Sequence, residues 1–264
     1  MTDLSHSFAV CAYKESSHLR ACLESLKNQT AKSPFFIATS TPNEYIEGLA
    51  KEFDVPVYAS DRESGIGRDW NFALSCASSD LVTIAHQDDL YEPDYAKSII
   101  EYSKAAKEPI IFFTDYGELR ADQKVYDSNL LNVKRKINAL LKPKAFWHSK
   151  FMRNRTLSIG CAICCPSVCI NRKRFPDFRF SETMTCDLDW DAWSRLARQK
   201  GSFVYIPQPL MLHRIHEESE TTKQLSDGKR FAEDFEMFCR YWPKPIAKLL
   251  MKRYSGSADS NQLD

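Results

Sequence analysis

Strand signals and helix signals alternate through the first hundred residues, a pattern that commits a chain to a parallel sheet covered by helices. Phe8 to Tyr13 reads as a short buried strand. Leu19, Cys22, Leu23 and Leu26 recur at helical spacing and predict an amphipathic helix ending near Gln29. Phe35 to Thr39 and Val55 to Ala59 read as the next two strands, with Ile46, Leu49, Ala50 and Phe53 as the apolar stripe of the helix between them. A glycine-started helix over 65–78 leads to a fourth strand, Leu81 to Ala85, which runs directly into His86-Gln-Asp-Asp89. Ligands of open parallel sheets bind outside the C-terminal strand ends. That rule puts Tyr13, Thr39, Ser60 to Arg62 and the His86 turn on one rim.

Beyond Pro109 the alternation breaks down. Ile110 to Thr114 and Phe203 to Ile206 read as strands, and Val133 to Leu141 as a basic helix. Leu157 to Ile170 is an apolar stretch interrupted by Gly160 and Pro166. Trp190, Trp193, Leu196 and Ala197 give Asp189 to Lys200 a helical pattern that Gly201 stops. From Lys229 the chain places Phe231, Phe235 and Phe238 on one helical face before a polar tail. The expected organisation is an α/β half over 1–115, a second half of the same domain over 116–228, and a basic helical extension over 229–264.

With 43% apolar residues in 264, the chain has ample material for a buried core, which excludes disorder as its overall state. Its longest apolar runs fall far short of the about 20 residues a membrane-spanning helix needs. Met1 to Ser7 shows no basic segment followed by an apolar one, so the expected compartment is the cytoplasm. The nine cysteines are odd in number and sit mostly in apolar runs, which favours reduced thiols. The pair Cys161 and Cys164 has the spacing of half a zinc site but lacks a second such pair.

The net charge of +1 hides an uneven distribution. Between Ser128 and Pro176 there are eleven Lys or Arg and no Asp or Glu, and a second acid-free stretch runs from Arg240 to Arg253. Local basic surface of this kind attracts phosphates, anionic lipid or nucleic acid, and a solvated face is the plainer alternative.

Asp88 and Asp89 form the most informative pair. Adjacent carboxylates at the end of a buried strand repel each other unless a cation holds them. Mg²⁺ and Mn²⁺ take oxygen ligands and bridge carboxylates to substrate phosphates. The alternative is a cap on the helix that begins near Pro93. A second acidic cluster, Asp187, Asp189 and Asp191, opens the Trp190 helix, where its own alternative is a favourable interaction with the helix dipole. His213, Arg214 and His216 follow the last strand; an imidazole can complete a Mn²⁺ shell, and Arg214 can pair with a diphosphate.

Four blocks in order resemble the family 2 glycosyltransferases of the GT-A fold: Val10-Cys-Ala-Tyr-Lys-Glu15 with Leu23-Glu-Ser-Leu-Lys-Asn-Gln29; Gly65-Ile-Gly-Arg-Asp-Trp-Asn71 with His86-Gln-Asp-Asp89; Asp187-Leu-Asp-Trp-Asp-Ala-Trp-Ser-Arg195; and Pro209 to Ser219. The resemblance implies a mixed sheet flanked by helices, a nucleotide-sugar donor (a UDP-sugar in the first instance), a Mn²⁺ or Mg²⁺ cofactor, and inverting transfer in polysaccharide, lipopolysaccharide or other glycan synthesis. Registered on Trp193 and Arg195, it implies Asp189 as general base, with Asp187 and Asp191 as alternates. It implies metal ligation by Asp88, Asp89 and His216, with His213 and His86 as alternates. Tyr13, Glu15, Thr39, Arg68, Gln87, Asp88 and Arg214 become the expected donor contacts. The sequence departs from the family where Thr39-Ser-Thr-Pro-Asn43 replaces an acidic base-contacting segment and where His86 replaces the first acid of the metal motif.

The basic regions 128–176 and 240–253 then become acceptor-side surface. The expected acceptor is a glycan or a lipid-linked glycan, with peripheral contact at the inner face of a membrane and no nucleic acid. Two rivals start from the same residues. Ala85-His-Gln-Asp-Asp89 is similar to the zinc motif of amino-sugar N-deacetylases, although it follows the fourth strand here and not the first. A non-enzymatic anionic-surface binding module explains the charge asymmetry alone.

Overall fold

The computed structural model describes residues 4–216 and 229–258. The predicted alternation is present as β1 (His6–Ala12), α1 (Leu19–Lys27), β2 (Phe35–Thr39), α2 (Glu44–Phe53), β3 (Val57–Ala59), α3 (Ile66–Cys76) and β4 (Leu81–His86). Each helix buries the face its spacing predicts: Leu19, Cys22, Leu23 and Leu26 in α1, and Ile46, Leu49 and Ala50 in α2. Asn43 caps α2 by accepting the Ile46 N–H at 2.9 Å.

After the His86 turn come β5 (Leu90–Tyr91), α4 (Tyr95–Ala105), β6 (Pro109–Arg120), β7 (Gln123–Val125), α5 (Asn129–Asn138), α6 (Lys150–Leu157), β8 (Val168–Asn171), α7 (Leu188–Ala197), β9 (Ser202–Ile215), α8 (Lys229–Cys239) and α9 (Lys244–Ala258). The strands make one nine-stranded sheet ordered β3-β2-β1-β4-β8-β6-β9-β5, with β7 on β6. β3 to β4 are parallel, β8 runs antiparallel between β4 and β6, and β9 is parallel to β6. The expected division at residue 115 falls inside β6.

β6 and β9 are far longer than the five and four residues their apolar runs suggested. β9 continues through Pro207 and Pro209 because register shifts beside Thr114, Asp115 and Gly117 absorb them. This extension carries β9 past the end of β4 and delivers His213 and His216 to the Asp88 turn.

Two apolar cores cover the faces of the sheet. One gathers α1, α2 and α4; the other gathers α3, α7 and the C-terminal helices around Trp190, Trp193 and Phe238. Of the three phenylalanines expected on one face of α8, Phe238 is fully buried, Phe235 packs partly, and Phe231 at the helix start is exposed.

Arg153 of α6 is wholly buried without a carboxylate. Its guanidinium donates to the carbonyls of Trp147, Ala197, Gln199 and Gly201 and lies over the Phe203 ring. The last three of those carbonyls lie at the C-terminal end of α7, where a cation meets the negative end of the helix dipole. Gly201 takes φ +133° there, and a Cβ would stand 2.3 Å from the Glu108 carbonyl oxygen.

Candidate active site

The C-terminal ends of β1 and β4 open into a cleft of about 830 Å³, closed on the far side by residues 161–166, 185–189 and the helices α5, α8 and α9. After β1 the chain turns at Lys14, φ 54°, whose N–H donates to Thr41 Oγ1 at 2.6 Å. The Gln87 amide then ties the two loops together, accepting the Tyr13 N–H at 2.9 Å and donating to its carbonyl at 3.1 Å. Tyr13 and Glu15 are thereby left exposed on the cleft wall.

The carboxylates of the His86 turn divide their work. Asp89 is fully buried, and its Oδ1 accepts both His213 Nδ1 at 3.0 Å and the Arg214 N–H at 2.9 Å. Its Oδ2 is buried without a hydrogen bond, 3.7 Å from His86 Nδ1. Burial alone would lower the His213 pKa, and Asp89 raises it. Asp88 faces the cleft, with Oδ2 3.0 Å from His216 Nε2. Burial opposes its charge, but the His216 hydrogen bond and the charges of His86 and His213 hold its carboxyl down at about 2. Trp70 stacks on His86 at 5.2 Å, and His18 meets His216 edge to face at 5.1 Å.

Mg²⁺ takes carboxylate oxygen, a transition ion such as Mn²⁺ can add imidazole nitrogen, and this turn offers both donors. One ligand atom each of His86, Asp88 and Asp89 lies within 4.8 Å of the others, and the Asp89 Oδ2 is buried without a hydrogen bond. Among the described residues Cys161 and Cys164 belong to no such group of three.

The opposite wall begins at α3. Asn71 accepts the Phe180 N–H at 2.7 Å and donates to its carbonyl at 3.1 Å, while a Cβ on Gly67 would lie 2.0 Å from the Ser181 oxygen. This close approach fixes the 180–187 segment that leads into α7. From the other side Glu233 of α8 accepts the N–H groups of Thr185, Cys186 and Asp187 at 2.9, 2.8 and 3.0 Å.

Asp189 lies on the cleft, with Oδ1 accepting the Trp190 N–H at 2.7 Å and Oδ2 accepting the Cys161 S–H at 3.6 Å. Burial raises its pKa against the pull of that N–H and of Lys134. Asp187 also reaches the cleft but is engaged with Asp234, and burial followed by repulsion from Asp234 and Asp189 raises its pKa strongly. Asp191 turns to Arg195 at 2.9 Å and Arg240 at 2.6 Å, outside the cleft lining.

Of the expected donor contacts, Tyr13, Glu15, Gln87 and Asp88 line the cleft, and Thr39, Arg68 and Arg214 do not. Thr39 is buried and shapes its own turn by accepting the Thr41 N–H. Arg68 bonds the Ser64 carbonyl and Glu63. Arg214 braces the His86 turn, donating to the Asp88 carbonyl at 3.0 Å and to Asp122 at 2.7 Å. Ser60 to Arg62 also lie outside the lining, which begins at Ser64.

Several lining residues escaped the sequence reading. Lys134 enters from α5, donating to Tyr116 Oη at 2.8 Å, and Cys161, Cys164, Arg230 and Tyr254 line the same wall. Lys134 had a weak signal in its spacing to Leu130, one helical turn away on the same face; the spacing of Cys161 and Cys164 pointed to half a zinc site and not to a cleft wall, and Arg230 and Tyr254 had no signal.

A mixed sheet flanked by helices, with a carboxylate turn at the end of its fourth strand facing an acidic helix start, defines a glycosyltransferase of the GT-A fold. The family model of "Glycosyl transferase family 2" matches residues 7–176, and the chain belongs to that family. The structure is similar to that of a mannosyltransferase, PcManGT from Pyrobaculum calidifontis, in complex with GDP-Man and Mn²⁺ (TM-score 0.66, 12% identity, 95% of this chain and 69% of that one). It is also similar to S. aureus TarS 1-349 in complex with UDP-GlcNAc (TM-score 0.64, 11% identity, 94% and 70%). Against a further S. aureus TarS structure the TM-score is 0.59 at 10% identity, and the match spans 94% of this chain and 42% of that one. No curated protein matches the chain. Family and fold together displace the N-deacetylase and non-enzymatic binding-module readings, because the His86 motif belongs to the fourth strand of a GT-A sheet.

Proposed function

We propose that this glycosyltransferase transfers a sugar from a nucleotide-sugar to a glycan hydroxyl with inversion, using Asp189 as general base and Asp88 with His216 to hold Mn²⁺ or Mg²⁺. The observation that carries the reading is one cleft lined both by the Asp88–His216 pair and by Asp189. A divalent cation held by these residues would supply positive charge against that developing on the diphosphate leaving group.

The remaining steps belong to the chain. Tyr13 offers a ring to the nucleobase and Glu15 a carboxylate to the ribose or base. Asp189 takes the proton of the acceptor hydroxyl as its oxygen attacks the anomeric carbon and the bond to the diphosphate breaks. A raised pKa makes Asp189 a stronger base than an exposed carboxylate. The Trp190 N–H and Cys161 S–H orient its two oxygens. A base facing the leaving group across the anomeric carbon gives inversion through an oxocarbenium-like transition state.

A thermal-shift screen of UDP, UDP-GlcNAc, UDP-Glc, GDP and GDP-Man, with and without Mn²⁺, tests the donor half, since ligand binding raises apparent stability by mass action. Metal-enhanced stabilisation by one nucleotide series is expected. No shift with any of them, in either condition, overturns the assignment of the cleft. NMR of the anomeric product reads inversion directly.

A further inference from the structure

The basic stretch 128–176 does not form one surface. Arg153 is buried, Lys134 enters the cleft, and Arg135 bonds the carbonyls of Tyr126 and Tyr116. Arg172, Lys173 and Arg174 are tied to Pro176, Asp80 and Lys200 on the β8 side. What remains outward is the segment from the end of α5 through α6.

Helix α9 lies beside that segment. Trp242, at its approach, donates from Nε1 to the Ser158 carbonyl at 2.6 Å and carries the Arg155 guanidinium over its ring at 4.8 Å. Leu141 and Ala247 are both fully buried in one core, and Tyr254 packs on Gly160. With their inner faces so used, the two segments turn a mixed face to solvent. Phe151 is 72% exposed and Leu249 58%, joined by Leu140, Phe146 and Ile246. Lys142, Lys144, Lys150, Lys244 and Lys248 are exposed among them, with no carboxylate in ion-pair distance among the described residues.

We infer that this face docks on an anionic lipid bilayer. Exposed aromatic and aliphatic side chains interleaved with lysines, on helices lying flat against a domain, match the interfacial arrangement in which apolar groups enter the headgroup boundary while cations meet lipid phosphates. A soluble polyanion would use the lysines but leave Phe151 and Leu249 without a role. Leu130 and Lys134 of α5 and Tyr254 of α9 line the cleft, so docking sets the base side of the cleft against the bilayer. An acceptor carried on a lipid reaches Asp189 in that orientation.

The test is sedimentation of the purified chain with phosphatidylcholine vesicles and with phosphatidylcholine–phosphatidylglycerol vesicles, at low and high salt. The wild type should bind the anionic vesicles, less so at high salt. Ile246→Ser/Leu249→Ser and, separately, Phe151→Ser should each weaken binding by about tenfold or more, with unchanged melting temperature and unchanged nucleotide affinity. Lys244→Glu/Lys248→Glu should weaken it comparably. Absence of anionic-vesicle binding at low salt overturns the inference. So does wild-type binding by both apolar variants alongside loss in the lysine variant, which would make the face a site for a soluble polyanion.

Discussion

Asp88 and His216 stand 128 residues apart in sequence and 3.0 Å apart in space, Oδ2 to Nε2. Asp89, adjacent in sequence to Asp88, is fully buried, and its Oδ1 is taken by His213 and the Arg214 backbone. The two carboxylates should therefore fail differently when removed. Asp88→Asn is expected to abolish transfer and the Mn²⁺ dependence of nucleotide binding with little loss of stability. His216→Ala should weaken Mn²⁺ binding on the order of tenfold to a hundredfold. Asp89→Ala should destabilise by about 1–3 kcal/mol, because it leaves buried donors unpaired. Calorimetric Mn²⁺ titration and urea unfolding of the three variants separate ligand from brace.

The Asp187–Asp234 contact sets a pH dependence. Burial holds both carboxyls above their ordinary value near 4; repulsion from Asp234 and Asp189 adds to this for Asp187, while Arg230 and a hydrogen bond with Asp187 pull Asp234 partly back. Groups whose folded pKa is raised contribute stability that is full below the unfolded value and is lost as pH rises through the folded one. The docking of α8 onto 185–187 should thus weaken from mildly acidic to alkaline pH. Asp234→Asn should flatten this slope. Melting temperatures across that range check it, and equal slopes in both proteins would refute this account.

Arg153 gives a prediction about folding alone. Arg153→Met removes every partner of the Trp147, Ala197, Gln199 and Gly201 carbonyls that the guanidinium supplies. The expected loss is about 3–5 kcal/mol, since buried polar groups are stranded. Arg153→Lys should recover only part, because an ammonium cannot reproduce the planar fork. Urea midpoints measure both.

The sequence exposed the elements whose chemistry is local. Periodicity found β1 to β4 with their helices, and the Asp88 turn announced itself by two carboxylates after an apolar strand. It could not extend β6 and β9. Asp115 and Glu118 look like surface residues, yet Tyr205 and Arg120 satisfy them inside the sheet. Pro207 and Pro209 look like strand breakers, and only the β6 pairing shows the bulge that admits them. The same limit applies to Glu233, whose hold on the start of α7 joins positions nearly fifty residues apart. Charge counting misjudged the basic segment because burial of Arg153 and capture of Arg172 to Arg174 depend on tertiary contacts.

Three aspartates at the start of α7 now have distinct surroundings, and these sharpen the test of the base. Asp189→Asn keeps size and shape but cannot take a proton, so single-turnover transfer should fall by about 10² to 10⁴ with donor affinity nearly unchanged. Asp187→Asn resembles the protonated form that its contact with Asp234 already favours, so turnover should stay near normal. Asp191→Asn loosens the ion pairs to Arg195 and Arg240 and should lower stability more than turnover. Cys161→Ala removes only the S–H donated to Asp189 Oδ2 and should shift the pH–rate profile toward alkaline pH, because a carboxylate that loses a donor holds its proton more tightly. If Asp187→Asn loses turnover while Asp189→Asn keeps it, the base is Asp187 and the raised pKa of that residue is the catalytic one. If neither loses turnover, proton abstraction lies outside this helix.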